Sequence, residues 1–264
     1  ACKRLAQFIV KQCFLVVVST PDFDSAYRIF MVLNNRGMDL SHSDILKSEI
    51  IGKIAPAEQD AYGKKWEVIE ELLGRDAFDN LFSHTRAIYR KLKLKETVLA
   101  EFRNYVMAKV PDPKSLVDDV LDRFARAYYE IRNAKYESAT RAEEINQKLR
   151  WLGRIDNTDW LPPAILFMAK HSQEPAKLEE FFSHLERLAA IQMLLRATIN
   201  QRIERYGRVL AAIENGDDLF AENSPIQLSS DEQTRTIEAL NGDIYGLLPK
   251  LRMYVLLRLD SALS

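Results

Sequence analysis

Residues 26–49 read AYRIFMVLNNRGMDLSHSDILKSE, and their spacing predicts a helix, a polar turn and a second helix. Tyr27, Phe30 and Leu33 recur every three residues and define one apolar stripe. Asn34-Asn35-Arg36-Gly37 stops that helix, with Gly37 at the left-handed closing position. Ser41 and Asp44 follow as a capping box, a serine cap with an acid three residues on, ahead of Ile45, Leu46, Ile50 and Ile51. The turn presents two amides and a guanidinium, a set that can hydrogen-bond phosphate or a base edge. It can equally serve only to close the helix, with Asn34 as its cap and Arg36 tying down the loop. The residues alone leave both readings open.

Before this segment, Thr20 and Pro21 mark a helix start, with proline in the first turn. Residues 13–19 (CFLVVVS) are short and β-branched and make the one convincing strand. Leu5, Phe8 and Ile9 give residues 2–12 helical spacing. Beyond Pro56 the pattern is helical almost to the end, with helices expected near 57–73, 76–92, 95–108, 114–134, 140–153, 160–171, 175–198, 200–214, 230–241 and 244–262. Pro111-Asp112-Pro113, Pro162-Pro163, Pro175 and residues 215–228 punctuate them. The expected organisation is therefore the tail of a mixed domain over residues 1–54 and a helical domain over residues 56–264. The chain opens on Ala1 directly in a helical pattern and reads as a piece of a longer protein.

Composition agrees. Hydrophobic residues at 47% and charged residues at 28% suit a chain with a buried core and speak against disorder. Only 9 glycines and 9 prolines occur, which favours helices over turn-rich sandwiches and glycine-cradled nucleotide folds. Lys+Arg 37 against Asp+Glu 38 leaves a net charge of -1, so any nucleic-acid footprint must be local. Cys2 and Cys13 have no further cysteines to pair with and read as reduced thiols of a cytoplasmic protein. No apolar run approaches bilayer-spanning length and no signal peptide is read, so no membrane partner is expected.

The four histidines, His42, His84, His171 and His184, lack a second ligand at metal-binding spacing and read as surface or helix-terminal residues. Asp118, Asp119 and Asp122 could share acid–base duties or a divalent ion. Their place in the first turns after Pro113 favours a dipole role, with Asp118 closing a box on Ser115. No nucleophile elbow, phosphate loop or Cys/His pair occurs, and no catalytic or metal-binding residue is assigned. Two basic stretches carry interleaved aromatics. Arg86, Arg90, Lys91, Lys93, Lys95, Arg103 and Lys109 surround Tyr89, Phe102 and Tyr105, against Glu96 and Glu101. Arg196, Arg202, Arg205 and Arg208 flank Tyr206. Such mixtures follow phosphate backbones, although solvated helix faces over an aromatic core look the same. Arg86, Arg90, Lys91, Lys93, Arg202 and Arg205 are the residues expected to contact DNA.

Residues 26–49 resemble the pattern a-x-x-I-F-E-x-L-N-x-R-G-x-x-L-S-x-x-D-L-I/L-K of domain-of-unknown-function family 262, which includes the GmrSD-type modification-dependent restriction endonucleases. Ile29, Phe30, Leu33, Asn34, Arg36, Gly37, Leu40, Ser41, Asp44 and Lys47 stand in register, and Met31 stands where the family often has glutamate. The resemblance implies a ParB- and sulfiredoxin-like N-terminal domain with a D-G-Q-Q-R motif for nucleotide hydrolysis. A long helical region follows it, and often an HNH nuclease domain. Neither motif occurs in these 264 residues. The implied fold is mainly α, a strand–helix–turn–helix remnant of the ParB-like domain followed by a multi-helix bundle or array. The implied function is that of a fragment of a bacterial DNA-targeting defence protein. It would lend Asn34, Asn35, Arg36 and Gly37 to a nucleotide pocket and supply a helical scaffold, without catalysis of its own. DNA and other domains of the parent chain are the implied partners, and an NTP and a divalent metal belong to the full-length protein. The competing reading is a non-catalytic helical interaction or regulatory module. A self-contained enzyme ranks third, because no catalytic constellation supports it.

Overall fold

The computed structural model describes residues 4, 8, 10–12 and 41–263. The chain divides into two compact units, residues 1–41 and residues 42–264. The strand expected over residues 13–19 and the turn Asn34–Gly37 lie outside the described residues. The second unit is mainly helical, and no strand occurs among the described residues. In order it comprises α1 (His42–Gly52), α2 (Pro56–Leu73), α3 (Arg75–Arg90) and α4 (Val98–Glu101, continued by a π-helical stretch, Phe102–Met107). Next comes α5, built from Pro113–Ser115, a π-helical stretch at Leu116–Asp122 and Arg123–Asn133. Then follow α6 (Ala142–Leu152), α7 (Leu161–His171), α8 (Pro175–Leu194), α9 (Ile199–Asn215), α10 (Ser230–Asn241) and α11 (Pro249–Leu263).

Helix α1 packs with this unit, so the division expected at residues 54–56 falls at residues 41–42. Its apolar positions explain why: Ile45, Leu46 and Ile50 are buried, and α1 contacts α2, α3 and α4. Asp79 of α3 holds its first turn, accepting the Ser43 backbone N–H at 3.1 Å and facing His42 Nδ1 at 2.8 Å. Around α2 to α4 the core is aromatic. Trp66 stands edge-on to Phe78 with ring centres 5.4 Å apart, and Phe82 meets Phe102 edge-on at 5.3 Å.

Helix α7 is the centre of the unit and contacts α3, α5, α8 and α9. Every residue from Leu161 to Met168 is buried. A helix N-terminus buried this deeply must satisfy its free amides, and the sequence does so. Leu161 N–H donates to the Thr158 carbonyl at 3.0 Å and Ala164 N–H to Trp160 at 3.3 Å. Pro162 and Pro163, between them, have no N–H to satisfy. On the far side, Phe167 stacks on Phe181 of α8 at 3.8 Å and 11°.

Several local expectations change. Asp112, not Ser115, caps α5: its carboxylate accepts the Ser115 N–H at 2.9 Å. Asp118 instead crosses to α2, accepting from Tyr62 Oη at 2.8 Å and Lys65 Nζ at 2.6 Å. The helix expected over residues 244–262 begins at Pro249, because Asp243 caps a separate 3-10 turn at Ile244–Gly246. His84 is only partly exposed and sits within α3, not at its end: it packs edge-on against Tyr128 at 5.1 Å, and burial lowers its pKa to about 4, leaving it neutral.

Helix α9 crosses the C-terminus of α3 at Gly207, where an added Cβ would stand 2.4 Å from the Lys91 carbonyl oxygen. That oxygen belongs to backbone already committed, since Lys91 closes α3 in the left-handed region at φ 57°. Gly207→Ala should therefore lower unfolding free energy by about 1–3 kcal/mol, as overpacking does. Gly63 in α2 has nothing within 4 Å of such a Cβ, and Gly63→Ala should raise stability by about 1 kcal/mol. Denaturant midpoints of the two variants read both signs; a neutral Gly207→Ala would mean that α9 does not approach α3 this closely.

Candidate nucleic-acid interface

The two basic stretches, a hundred residues apart in the chain, meet where α3 ends, the 91–97 loop turns and α9 begins. Lys93 Nζ donates to Asn200 Oδ1 at 3.0 Å, fastening the loop to the first turn of α9. Lys91 Nζ lies 2.6 Å from Glu214 Oε2 near the other end of α9.

Arg86 faces the interior. It is 7% exposed, donates from Nη1 to the Leu92 carbonyl at 2.6 Å and stands 3.3 Å from Glu101 Oε2. Burial pulls its pKa down, and the Glu101 charge opposes that. Glu101 is 1% exposed and accepts the backbone N–H groups of Lys95 at 2.8 Å and Glu96 at 3.3 Å through its other oxygen. One carboxylate thus holds the loop and neutralises the buried guanidinium. Arg90 lies over the Tyr105 ring at 4.2 Å. Arg202 pairs with Asp159 at 2.7 Å and donates to the Ala197 carbonyl at 2.6 Å. Arg205 donates to the carbonyls of Pro225, at 2.5 Å, and Gln227, and stands 3.4 Å from Glu232.

Of the residues expected to meet DNA, Arg86, Arg202 and Arg205 are thus turned to partners inside the fold. Lys93 is exposed, as are Lys95, Arg196 and Arg208 from the same two stretches. The nucleotide-facing set Asn34, Asn35, Arg36 and Gly37 lies outside the described residues. Beneath the junction is a small cavity of about 140 Å³ with a mixed lining, in which His84, Arg86, Asp159 and Tyr206 stand among apolar residues such as Leu92, Ile203 and Leu210. Tyr206 is 2% exposed, and among the described residues neither its hydroxyl nor Arg86 Nε has a hydrogen-bond partner. Burial pushes the Tyr206 phenol up, so it stays a neutral donor. These groups can hydrogen-bond a small polar guest, but they include no nucleophile–base pair. No cluster of three metal-ligating side chains occurs among the described residues, and none of their helices is long and apolar enough to cross a membrane.

In the sequence Glu101 stands only as a counter-charge within its basic stretch, and Asp159 and Asn200 carry no local signal. An acid inside a basic run was the available signal for Glu101. If its pairing with Arg86 is what holds the loop, Arg86→Met alone should lower stability by about 3–5 kcal/mol by leaving a buried carboxylate uncompensated. Adding Glu101→Leu should recover part of that loss. A double-variant cycle in denaturant with no coupling energy would show the two side chains to be independent.

Comparison of the chain with protein-family models, curated proteins and solved structures finds no match in any of the three.

Proposed function

We propose that the chain is the helical scaffold of a bacterial DNA-targeting, restriction-type protein, lending the Asn34–Gly37 turn to a nucleotide pocket and leaving the chemistry to other parts of the parent chain. The observation that carries the reading is the in-register run from Ile29 to Lys47. Its second half has a physical task in the fold: Asp44 reaches Arg75 at 3.4 Å and Lys47 reaches Glu67 at 3.1 Å, tying α1 to α3 and α2. The junction of loop 91–97 with α9 supports a phosphate-facing surface. Lys93, Lys95 and Arg196 are exposed there, and Lys93 is held by a neutral amide that keeps its charge available. In the full-length protein an NTP and a divalent metal would complete the nucleotide site.

A second reading, a helical interaction module, is favoured by one observation. Ile237 of α10, Leu248 before α11, and Met253 and Leu257 of α11 are exposed apolar side chains.

Two measurements test the proposal. In the full-length protein, Arg36→Ala should weaken nucleotide binding by roughly ten- to hundred-fold with little change in melting temperature, as loss of a charge-assisted contact does. In the chain itself, fluorescence anisotropy with labelled duplex DNA at low salt should show binding that Lys93→Glu/Lys95→Glu weakens by about tenfold or more. Arg202→Met should leave that affinity alone and lower stability. Unchanged nucleotide affinity together with no duplex binding would favour the interaction module instead.

A further inference from the structure

We propose that the cleft between α8, α10 and α11 binds an amphiphilic small molecule, an apolar body bearing one carboxylate or sulfonate. The cleft has a volume of about 590 Å³, within the range of small-molecule sites. Its walls are apolar: Ile191 and Leu194 from α8, Leu240 from α10, Leu251 and Val255 from α11.

The polar groups of the lining are unevenly signed. Lys148, Arg187 and Arg258 stand against a single carboxylate, Glu186. Glu186 is 5% exposed and both its oxygens are engaged. Oε1 accepts from Tyr254 Oη at 2.5 Å and Arg258 Nε at 3.3 Å, and Oε2 accepts from Arg258 Nη2 at 3.4 Å. Arg258 is held further by the Trp151 ring, 5.2 Å from its guanidinium carbon. Glu186 is therefore balanced from within the fold and offers little to a cationic guest. Arg187 shares one nitrogen between Gln227 Oε1 at 2.8 Å and His184 at 2.9 Å, both neutral groups that leave its charge uncompensated. Burial, then Arg187 itself, lowers the His184 pKa, so that ring adds no positive charge of its own. Lys148 stands at the cleft wall from α6, and its ammonium has no hydrogen-bond or ion-pair partner among the described residues. An apolar guest with an anionic end fills the walls and meets these cations at once, and charge complementarity selects it over a neutral or cationic one.

The probes are 8-anilino-1-naphthalenesulfonate and its uncharged analogue N-phenyl-1-naphthylamine, which share a ring system and differ in the sulfonate. The sulfonate dye should bind saturably and more tightly than the neutral one. Lys148→Glu should weaken the sulfonate dye by about tenfold and leave the neutral dye unchanged, the loss of one charge-assisted contact. Ala190→Trp, placing an indole in the cleft, should abolish binding of both. Lys148 is at the partly exposed margin, so its variant decides the matter even if Ala190→Trp does not fold. Equal affinity for the two dyes, or a Lys148→Glu variant that treats them alike, would overturn the proposal and make the cleft an apolar docking face for a protein. Absence of saturable binding by either dye would equally overturn it.

Discussion

The second unit is organised by the burial of α7 on every side. A helix whose residues Leu161 to Met168 are all buried cannot leave amides or carbonyls to water, so both its ends need partners. Its N-terminus is satisfied by two backbone bonds and two prolines. Beyond Met168, Arg123 donates to the Ala169 carbonyl at 3.0 Å, closing the last turn from α5. Lys170, at the same end, reaches the Ile213 carbonyl of α9 at 2.8 Å and closes that helix in turn. The apolar face decides which helices gather around α7, and the cations at its end fix how α5 and α9 lie against it.

The same use of cations recurs at the junction of α3 and α9. A guanidinium offers donors in a rigid fork and suits a phosphate, a carboxylate or a pair of backbone carbonyls equally well. In Arg86, Arg202 and Arg205 those donors go to Leu92, Ala197, Pro225 and Gln227 carbonyls and to acidic side chains. Positive charge and aromatic rings side by side therefore describe helix cohesion here before they describe any interface. What remains outward is a smaller group around Lys93, Lys95 and Arg196, and the proposed DNA-facing surface rests on it.

The helices were legible because burial in a bundle imposes a 3.6-residue repeat that single residues rarely contradict. Residues 56–73, 142–152, 161–171, 199–215 and 230–241 fall close to the expected spans. The π-helical stretches at Phe102–Met107 and Leu116–Asp122 were not legible, since one extra residue per turn changes which neighbours touch without altering composition. Partners across the fold were equally hidden. Asp118 looked like a local cap because Ser115 lies three residues before it, whereas Tyr62 and Lys65 claim it from α2. Of the candidate site, the two basic stretches could be read from the chain, but their meeting depends on Gly207. That residue has no motif around it and matters only because Lys91 approaches so closely. The cleft between α8, α10 and α11 gathers Lys148, Glu186 and Arg258 from separate helices, and no local pattern joins them.

The central claim, that α7 holds the helical unit together, is tested most directly by native-state hydrogen exchange. The amides of Ile165 to Met168 should exchange only through global unfolding, with a free energy equal to that from denaturant. Those of α10 and α11, where many side chains are exposed, should open at lower free energy. Exchange of the α7 amides by local opening, at a lower free energy than the amides of α8 and α9 around it, would contradict the account.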